Sequence, residues 1–193
     1  MKEKARSRIE ILRPLLKDPV PAVRTAAAEA IEKLEATISL SEILVALKTG
    51  NMGTRIGAIY ALGEVGGETV LEPLAYCSKR HEVDIRSAAA AALGKLQLPG
   101  ALSILLNLLE DDSPTVQTRA IASLRSFELT TDIFIKLRSF LNANDGQLEA
   151  EAALTLAGQK DLYSLPQILA LLTSNHASTR QAAATALSLM PIQ

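Results

Sequence analysis

The chain repeats a short segment about every 31 residues. One position in each copy, here called the key position, falls at residues 24, 55, 86, 117, 149 and 180, so the successive spacings are 31, 31, 31, 32 and 31. A fixed period of about 20–50 residues is typical of repeat proteins, in which one supersecondary unit stacks on copies of itself. The spacing therefore predicts an array of about six units along the 193 residues.

Each copy carries the same apolar pattern after its key position. An alanine follows three residues later, at Ala27, Ala58, Ala89, Ala120, Ala152 and Ala183. An isoleucine or leucine follows seven residues later, at Ile31, Leu62, Leu93, Leu124, Leu156 and Leu187. Positions separated by three, four and seven residues share one face of an α-helix, and alanine lets a neighbouring helix approach closely. We therefore expect each key segment to form the second helix of its unit and to pack through this face.

An apolar-periodic stretch precedes each key segment and predicts the first helix of the unit. Capping-box spacing predicts helix starts at Ser39 and Thr69, and Ser113 before Pro114 predicts another. Pro14 predicts a kink or a split in the first helix of the chain. Helix ends are predicted at Gly66-Gly67, Pro99-Gly100 and Gly158. A single domain of residues 1–193 then divides into helix pairs at approximately 1–36, 37–66, 67–97, 98–128, 129–159 and 160–193.

The most regular copy, residues 85–94, reads Ile-Arg-Ser-Ala-Ala-Ala-Ala-Ala-Leu-Gly. With its period of 31, this pattern resembles the short HEAT-like repeat named after phycobilisome lyases. The resemblance covers the whole chain and implies an all-α, right-handed α-α superhelix, that is, a HEAT-repeat solenoid. Because this repeat recurs in many unrelated interaction proteins, it is specific for the fold and not for one function.

Charge and composition narrow the classes of function. The net charge is -1 and the pI is about 6.2, whereas proteins that bind nucleic acid usually carry a basic face. The most apolar stretch, residues 88–109, is interrupted by Lys95 and Pro99, so we predict no membrane span. Cys77 is the only cysteine, which excludes an internal disulfide. With no apolar segment of a signal peptide near Met1, we expect a cytoplasmic protein.

No local sequence signature of catalysis is present, and we predict no catalytic residues, cofactor or metal. The one candidate for metal chemistry is His81-Glu82, since HEAT-type deoxyhypusine hydroxylases hold two irons with several His-Glu pairs. Here the second histidine, His176, is followed by alanine and lies about three repeats away. HEAT-like DNA glycosylases need aromatic side chains and a basic groove, but this chain has no tryptophan and 3% aromatic residues. We interpret His81 and Glu82 as solvated loop residues.

The arginines at the key positions, Arg24, Arg55, Arg86 and Arg180, allow two interpretations. They could form a ladder that binds anions, or each guanidinium could tie its loop to a neighbouring repeat through carbonyl groups or a carboxylate such as Asp18. Because Gln117 and Glu149 interrupt the row, we favour the bracing role.

The second helices of a solenoid usually line its concave, ligand-binding side. Positions one and five after each key position are expected to face this groove. These positions are Thr25 and Glu29, Ile56 and Tyr60, Ser87 and Ala91, Thr118 and Ala122, Ala150 and Leu154, and Gln181 and Thr185. The predicted site is an apolar strip rimmed by charge, with Tyr60 as its anchor, and suits a helix or an extended peptide. It comprises Ile56, Tyr60, Glu64, Ala91, Lys95, Ala122, Arg125 and Leu154. The alternative is that the alanines of this strip only permit tight curvature.

These features favour a scaffold or adaptor that binds another protein or peptide and is not an enzyme. The alternative, implied by the resemblance, is a subunit of a phycobilin-lyase-like complex that handles a chromophore. The two ends of the array differ in charge: the first helix is polar, with Lys4, Arg6 and Arg8, whereas residues 182–190 carry no charged side chain. The last repeat is therefore a candidate for docking on a partner or for end-to-end self-association, unless the chain is a fragment of a longer array.

Overall fold

The computed structural model describes residues 2–191, with the side chain of Lys2 left aside. Over this range the chain is all-helical and contains no strand, as predicted. The helices are α1 (Lys2–Leu12), α2 (Pro21–Thr49), α3 (Met52–Val65), α4 (Leu71–Cys77), α5 (Val83–Leu96), α6 (Pro99–Leu108), α7 (Pro114–Ser123), α8 (Thr131–Ser139), α9 (Gly146–Gly158), α10 (Leu165–Ala170) and α11 (Ala177–Leu189). They form two compact units, Met1–Val65 and Gly66–Gln193.

The first unit contains α1, α2 and α3, with α2 packed on both of the others. The helix that starts the chain is split as predicted, because α1 ends at Leu12 and a 3-10 turn, Arg13–Lys17, takes up Pro14. At the other end of the unit, α3 stops at Val65, immediately before Gly66 and Gly67. These two glycines have φ angles of 70° and 76°, which glycine alone adopts readily.

Helix α2 runs without a break through Ser39, where the capping-box spacing predicted the start of a helix. That prediction is wrong because residues 22–49 contain neither glycine nor proline, so nothing forces the helix to end. The hydroxyls of Thr37 and Ser41 donate to carbonyl groups of the preceding turn, each at 2.8 Å, and leave the helical backbone intact. The second helix of the first pair and the first helix of the second pair are therefore one continuous helix.

The second unit is a stack of helix pairs. Its second helices pack in sequence, α5 on α7, α7 on α9 and α9 on α11, while α4 and α6 make contact among the first helices. Ser113 precedes Pro114 at the start of α7, as predicted. The capping box predicted at Thr69 is absent, because Thr69 lies in a 3-10 turn (Glu68–Val70) and Val70 is the residue that flanks α4.

The apolar pattern after the key positions marks the packed faces. All six alanines three residues after a key position are buried. Four of the residues seven positions after it, Leu62, Leu93, Leu124 and Leu156, are completely buried. Ile31 and Leu187 are half-buried, since α2 and α11 each pack against only one other second helix within their unit. The periodicity therefore predicted the core correctly.

Helices α5 and α7 approach each other closely at Gly94. A Cβ atom added to Gly94 would lie 2.7 Å from the Cβ of Ser123 and 3.1 Å from its Cα. The hydroxyl of Ser123 donates to the carbonyl oxygen of Ala90 at 2.9 Å, and that of Ser126 donates to Gly94 at 2.7 Å. Small residues are thus required at this crossing so that side-chain hydroxyls can reach the neighbouring backbone.

None of the helices within residues 2–191 combines the length and the apolar character that crossing a membrane would require.

Candidate functional site

Three arginines at key positions, Arg24, Arg86 and Arg180, brace the loop that precedes their own helix. Arg24 donates from Nη1 to the carbonyl oxygens of Asp18 and Pro19, at 2.7 and 3.1 Å. Arg180 repeats both bonds with the equivalent residues of its own loop, at 2.7 and 3.2 Å. Because one guanidinium carries five donors, it can hold two carbonyl groups that no helix satisfies. Bonding to loop carbonyl groups was predicted from the sequence, but these carbonyl groups belong to the same repeat as the arginine and not to a neighbouring repeat.

Arg86 makes the same bonds and also joins its repeat to the next one. Its Nη1 donates to the carbonyl oxygens of Arg80 and His81 at 3.0 and 2.8 Å. Its Nε and Nη2 donate to the two carboxylate oxygens of Asp111, in the loop before α7, at 2.7 and 2.8 Å. A further bond of 2.7 Å runs from Nη2 to Asp112. Arg86 and Asp111 are both largely buried, so this bidentate pair is shielded from solvent.

Hydrogen bonding raises the pKa of Arg86 and lowers the pKa of Asp111, so both groups stay charged. The bond from Asp111 raises the pKa of Arg86, although burial acts against it. For Asp111, burial is the largest influence and by itself would raise the pKa. The hydrogen bonds from Arg86 and from the backbone N–H of Ser113 outweigh it and lower the pKa of that carboxyl. The pair is therefore ionised over the whole neutral range.

The two key positions without arginine perform the same bracing with other groups. Gln117 donates from Nε2 to the carbonyl oxygen of Leu109 at 3.1 Å. Glu149 accepts the backbone N–H of Asn144 at 3.1 Å and the hydroxyl of Thr179, in the following helix α11, at 3.0 Å. Where glutamine or glutamate replaces arginine, the key residue therefore still holds its loop, but through different hydrogen-bonding groups.

A second buried ion pair was not predicted from the sequence. Arg138, in α8, donates from Nε and Nη2 to the carboxylate of Asp161 at 2.7 and 2.6 Å, and its guanidinium lies 5.2 Å from the centre of the Tyr163 ring. The hydrogen bond to Asp161 raises the pKa of Arg138. The sequence feature that could have indicated this pair is its spacing. Asp161 follows Arg138 by 23 residues, and Asp111 follows Arg86 by a similar 25 residues.

In the first unit the predicted binding residues lie on one side of α3. Ile56, Tyr60 and Glu64 are spaced by four residues and therefore share a helical face. Ile56 is half-buried and Glu64 is exposed, while 43% of Tyr60 is accessible to solvent. Tyr60 is therefore available as a contact residue, as the sequence interpretation requires.

In the second unit the predicted residues lie on α5, on α7 with its following turn, and on α9. Ala91, Ala122 and Leu154 are half-buried, and Lys95 is exposed. Arg125, in the turn Leu124–Ser126, is committed to internal contacts. The apolar residues of the predicted strip in this unit are thus partly accessible to solvent and are neither fully buried nor fully exposed.

The contacts of Arg125 tie α7 to α9. Its guanidinium pairs with Glu151 and donates from Nε to the hydroxyl of Thr155 at 3.3 Å, and that hydroxyl donates to Ile121 at 3.2 Å. Gln159 donates to the carbonyl oxygen of Arg125 at 3.0 Å. Burial lowers the pKa of Arg125. Arg125 is therefore a brace between repeats and not the free rim cation that the sequence interpretation assumed.

A cleft of about 420 Å³ opens on the same side, between α7 and α9. Its lining residues are Pro114, Thr115, Thr118, Arg119, Ala122, Asp145, Gln147 and Glu151. Thr118 and Ala122 are the residues at positions one and five after key position 117, so the periodicity found this part of the wall. Arg119, Gln147 and Glu151 were missed, because they stand at positions two before or two after a key position.

The cleft contains polar groups with unused hydrogen-bonding capacity. The hydroxyl of Thr118 is shielded from solvent and has no hydrogen-bond partner among residues 2–191. Arg119 is exposed, and no carboxylate of the described chain pairs with it. The nearby acids are already engaged: Glu151 pairs with Arg125, and Asp145 accepts the backbone N–H groups of residues 147 and 148 at the start of α9. The cleft therefore offers an unpaired cation and a buried hydroxyl beside the small side chain of Ala122.

His81 and Glu82 lie in the loop before α5. The Nδ1 of His81 is 3.2 Å from Oε2 of Glu82, and Nε of Arg80 is 3.4 Å from the same oxygen. No cluster of three or more histidine, cysteine, aspartate or glutamate side chains within residues 2–191 is arranged to hold a metal ion.

Two family models match the sequence. Residues 40–125 match the model described as HEAT repeats, and residues 9–37 match the model described as HEAT repeat. The two matches do not overlap, and together they span more than half of the chain. No curated protein matches the sequence.

Several solved structures share the fold. A chain from the complex of CpcE and CpcF of phycocyanin lyase from Nostoc sp. PCC7120 superposes with a TM-score of 0.64 at 16% identity, covering 78% of this chain and 99% of that one. Kap121p gives a TM-score of 0.63 at 18% identity, over 98% of this chain and 26% of its own. A designed armadillo repeat protein in complex with the peptide (KR)4 gives 0.56 at 19% identity, over 95% and 99%. At these identities the likeness concerns the fold.

Proposed function

Because the chain belongs to the HEAT-repeat family, we propose that it is a non-catalytic scaffold that binds a segment of a partner protein along the accessible face of its second helices. The observation that carries this proposal is the cleft between α7 and α9. Two of its lining residues, Thr118 and Ala122, stand one and five positions after a key position, and the hydroxyl of Thr118 has no hydrogen-bond partner among the described residues.

The chemistry of the cleft favours a peptide over a flat protein surface. Ala122 leaves room for a side chain between the two helices. Arg119 can pair with a carboxylate of the bound segment, since the acids beside it are already engaged. The designed armadillo protein that shares this fold holds a peptide, which supports this mode of binding.

A displayed library of random linear peptides provides the test, because the partner is unidentified. The library is selected on the immobilised full chain and then on two variants, Arg119→Glu and Ala122→Trp. The first reverses the unpaired charge, and the second fills the cleft with a large ring. We expect the peptides enriched on the wild-type protein to lose their enrichment on both variants.

Lys79→Glu is the matched control for Arg119→Glu. Lys79 is exposed, follows α4 and does not line the cleft, yet its reversal changes the net charge by the same amount. The control must retain the selected peptides, and circular dichroism must show that every variant is folded. Equal enrichment on wild type, Arg119→Glu and Ala122→Trp would refute the proposal.

A second candidate is a subunit of a phycobilin-lyase-like complex. It is supported by the likeness to the CpcE–CpcF structure, which accounts for nearly all of that chain. The test is to mix the purified chain with a phycobilin and a phycocyanin apo-subunit. A lyase-type role predicts co-elution with one of them or a shift of the bilin absorbance band. Neither effect is expected of a peptide-binding scaffold, so this assay separates the two candidates.

A further inference from the structure

The first unit leaves an unusual amount of aliphatic surface uncovered. Of the 29 residues of α2, Ala27 is the one that is buried. On α1, Ile11 is 71% exposed, and Leu15 and Leu16 in the following turn are each more than one-third exposed. Large aliphatic side chains that remain accessible on neighbouring turns are typical of interaction surfaces. The polar character expected for the first helix therefore holds for only part of its surface.

Ile11 lines an apolar groove between α1 and α2. The groove has a volume of about 460 Å³ and is lined by Arg8, Ile11, Leu12, Ala30, Lys33 and Leu34. Each helix contributes three residues with the spacing i, i+3 and i+4, so each wall is one continuous helical ridge. The floor and walls are aliphatic, and each helix adds one cation. The groove lies entirely within the first unit.

The two cations at the groove, Arg8 and Lys33, have no counterion in the part of the chain that the structure describes. Neither Arg8 nor Lys33 pairs with a carboxylate among the described residues. Other arginines of the same region do: Arg6 lies 3.6 Å from Glu42, and Arg13 lies 3.3 Å from Glu10. An apolar groove with an unpaired cation on each wall is complementary to an apolar side-chain row flanked by acids.

We propose that this groove is a docking site for an amphipathic helix of a partner protein, with aliphatic residues facing the groove and aspartate or glutamate at its flanks. The aliphatic residues of the partner helix would pack on Ile11 and Leu12, and its acidic residues would pair with Arg8 and Lys33. The proposal is independent of the cleft between α7 and α9, because it concerns other helices and a ligand of a different pattern.

A second copy of the chain fits the groove less well. The exposed leucines of the last helix pair, Leu169, Leu172 and Leu189, are the obvious self-docking surface. However, the sequence contains no aspartate or glutamate after Asp161, so this surface has no acidic side chain to meet the two cations. Charge complementarity therefore favours a partner of different sequence.

The test uses three labelled synthetic helical peptides of equal length and the full-length protein. The first has an aliphatic row flanked by glutamate, the second has lysine in place of each glutamate, and the third keeps the glutamates but scrambles the aliphatic row. Fluorescence anisotropy then gives their affinities. We expect the first peptide to bind at least about tenfold more tightly than the other two, which is about 1.4 kcal/mol.

Two groove variants and one control locate the binding. The double variant Arg8→Glu/Lys33→Glu and the single variant Ile11→Glu should each weaken binding of the first peptide about tenfold or more. Because all three side chains are accessible in the groove, the variants should remain folded, which circular dichroism verifies. Lys48→Glu, at the exposed end of α2 and outside the groove, should bind as wild type does.

Three results would overturn the proposal. The first is that the acidic amphipathic peptide does not bind, or binds no better than its basic or scrambled counterpart. The second is a dimer in light scattering that Ile11→Glu abolishes, which would make a second copy the occupant. The third is binding to anionic lipid vesicles that the groove variants abolish while peptide binding is unaffected, which would assign the surface to a membrane.

Discussion

Replacing Arg86 with methionine would remove the guanidinium that holds two repeats of the second unit together, while methionine retains most of the aliphatic stem. Arg86 is 9% exposed and the side chain of Asp111 is 7% exposed, so the variant leaves a carboxylate buried without its cation. Removing one partner of such a buried pair costs about 3–5 kcal/mol. The contact with Asp112 adds little, because that side chain is 90% exposed.

Arg180→Met is the matched control. Arg180 occupies the same key position and donates to two loop carbonyl groups, but no carboxylate binds it and it is exposed. Its loss should cost about 1 kcal/mol. Urea unfolding followed by far-ultraviolet circular dichroism gives both free energies, and linear extrapolation applies to the transition of residues 66–193.

The pairwise part of the effect follows from a double-mutant cycle. Asp111→Asn keeps an acceptor for the N–H of Ser113 but removes the charge, and the double variant with Arg86→Met should cost less than the sum of the single variants by about 1 kcal/mol or more. If Arg86→Met destabilises the protein no more than Arg180→Met, the buried pair does not hold the repeats together and the reasoning is wrong.

Three further predictions concern individual residues. Hydrogen bonds outweigh burial and lower the pKa of Asp111 below its ordinary value of about 3.9, so the stability that this carboxylate contributes is present at neutral pH and is lost as pH falls through the lower folded-state value. The difference in unfolding free energy between wild type and Asp111→Asn should therefore narrow in urea titrations carried out from about pH 5 downward; a constant difference would contradict this. Gly94→Ala should destabilise the protein by about 1–3 kcal/mol, because the added Cβ would collide with Ser123. Gly57→Ala, with open space around it in α3, should stabilise the protein by about 0.5–1 kcal/mol. Thermal melts that rank the two variants in the opposite order would contradict this packing. Cys77 is 1% exposed, so its thiol should react with a disulfide reagent only after unfolding, and rapid modification of the native protein would show that α4 is open.

The lining of the candidate site was predictable where it follows the helical period. Thr118 and Ala122 line the cleft because positions one and five after a key residue face away from the packed alanine. Arg119 lies on α7 and Glu151 on α9, which belong to different repeats. The sequence of a single repeat does not show which side chains of the next repeat lie opposite, so these two residues could not be assigned to the cleft. Arg125 illustrates the same limit, because the exposed rim cation expected from its position is bound by Glu151 and Thr155 of the next repeat.

The sequence by itself determined the period, the helical class and the packed face. A close approach of two helices requires a small residue, so the alanine repeated three residues after each key position predicts the contact face, and all six alanines are buried. It also determined the loop brace, because the arginine and the carbonyl groups that it holds, as at Arg24 and Arg180, are fewer than seven residues apart.

The tertiary structure alone decided which helices fuse and which distant charges pair. The capping signal at Ser39 is a local preference of about 1 kcal/mol, and an uninterrupted helix without glycine or proline overrides it. The Arg86–Asp111 and Arg138–Asp161 pairs span 25 and 23 residues. Their geometry depends on how one repeat is stacked on the next, since a hydrogen bond requires the two groups to meet within about 3 Å. A sequence period specifies that repeats stack, but only the stacked backbone specifies which side chains come within that distance.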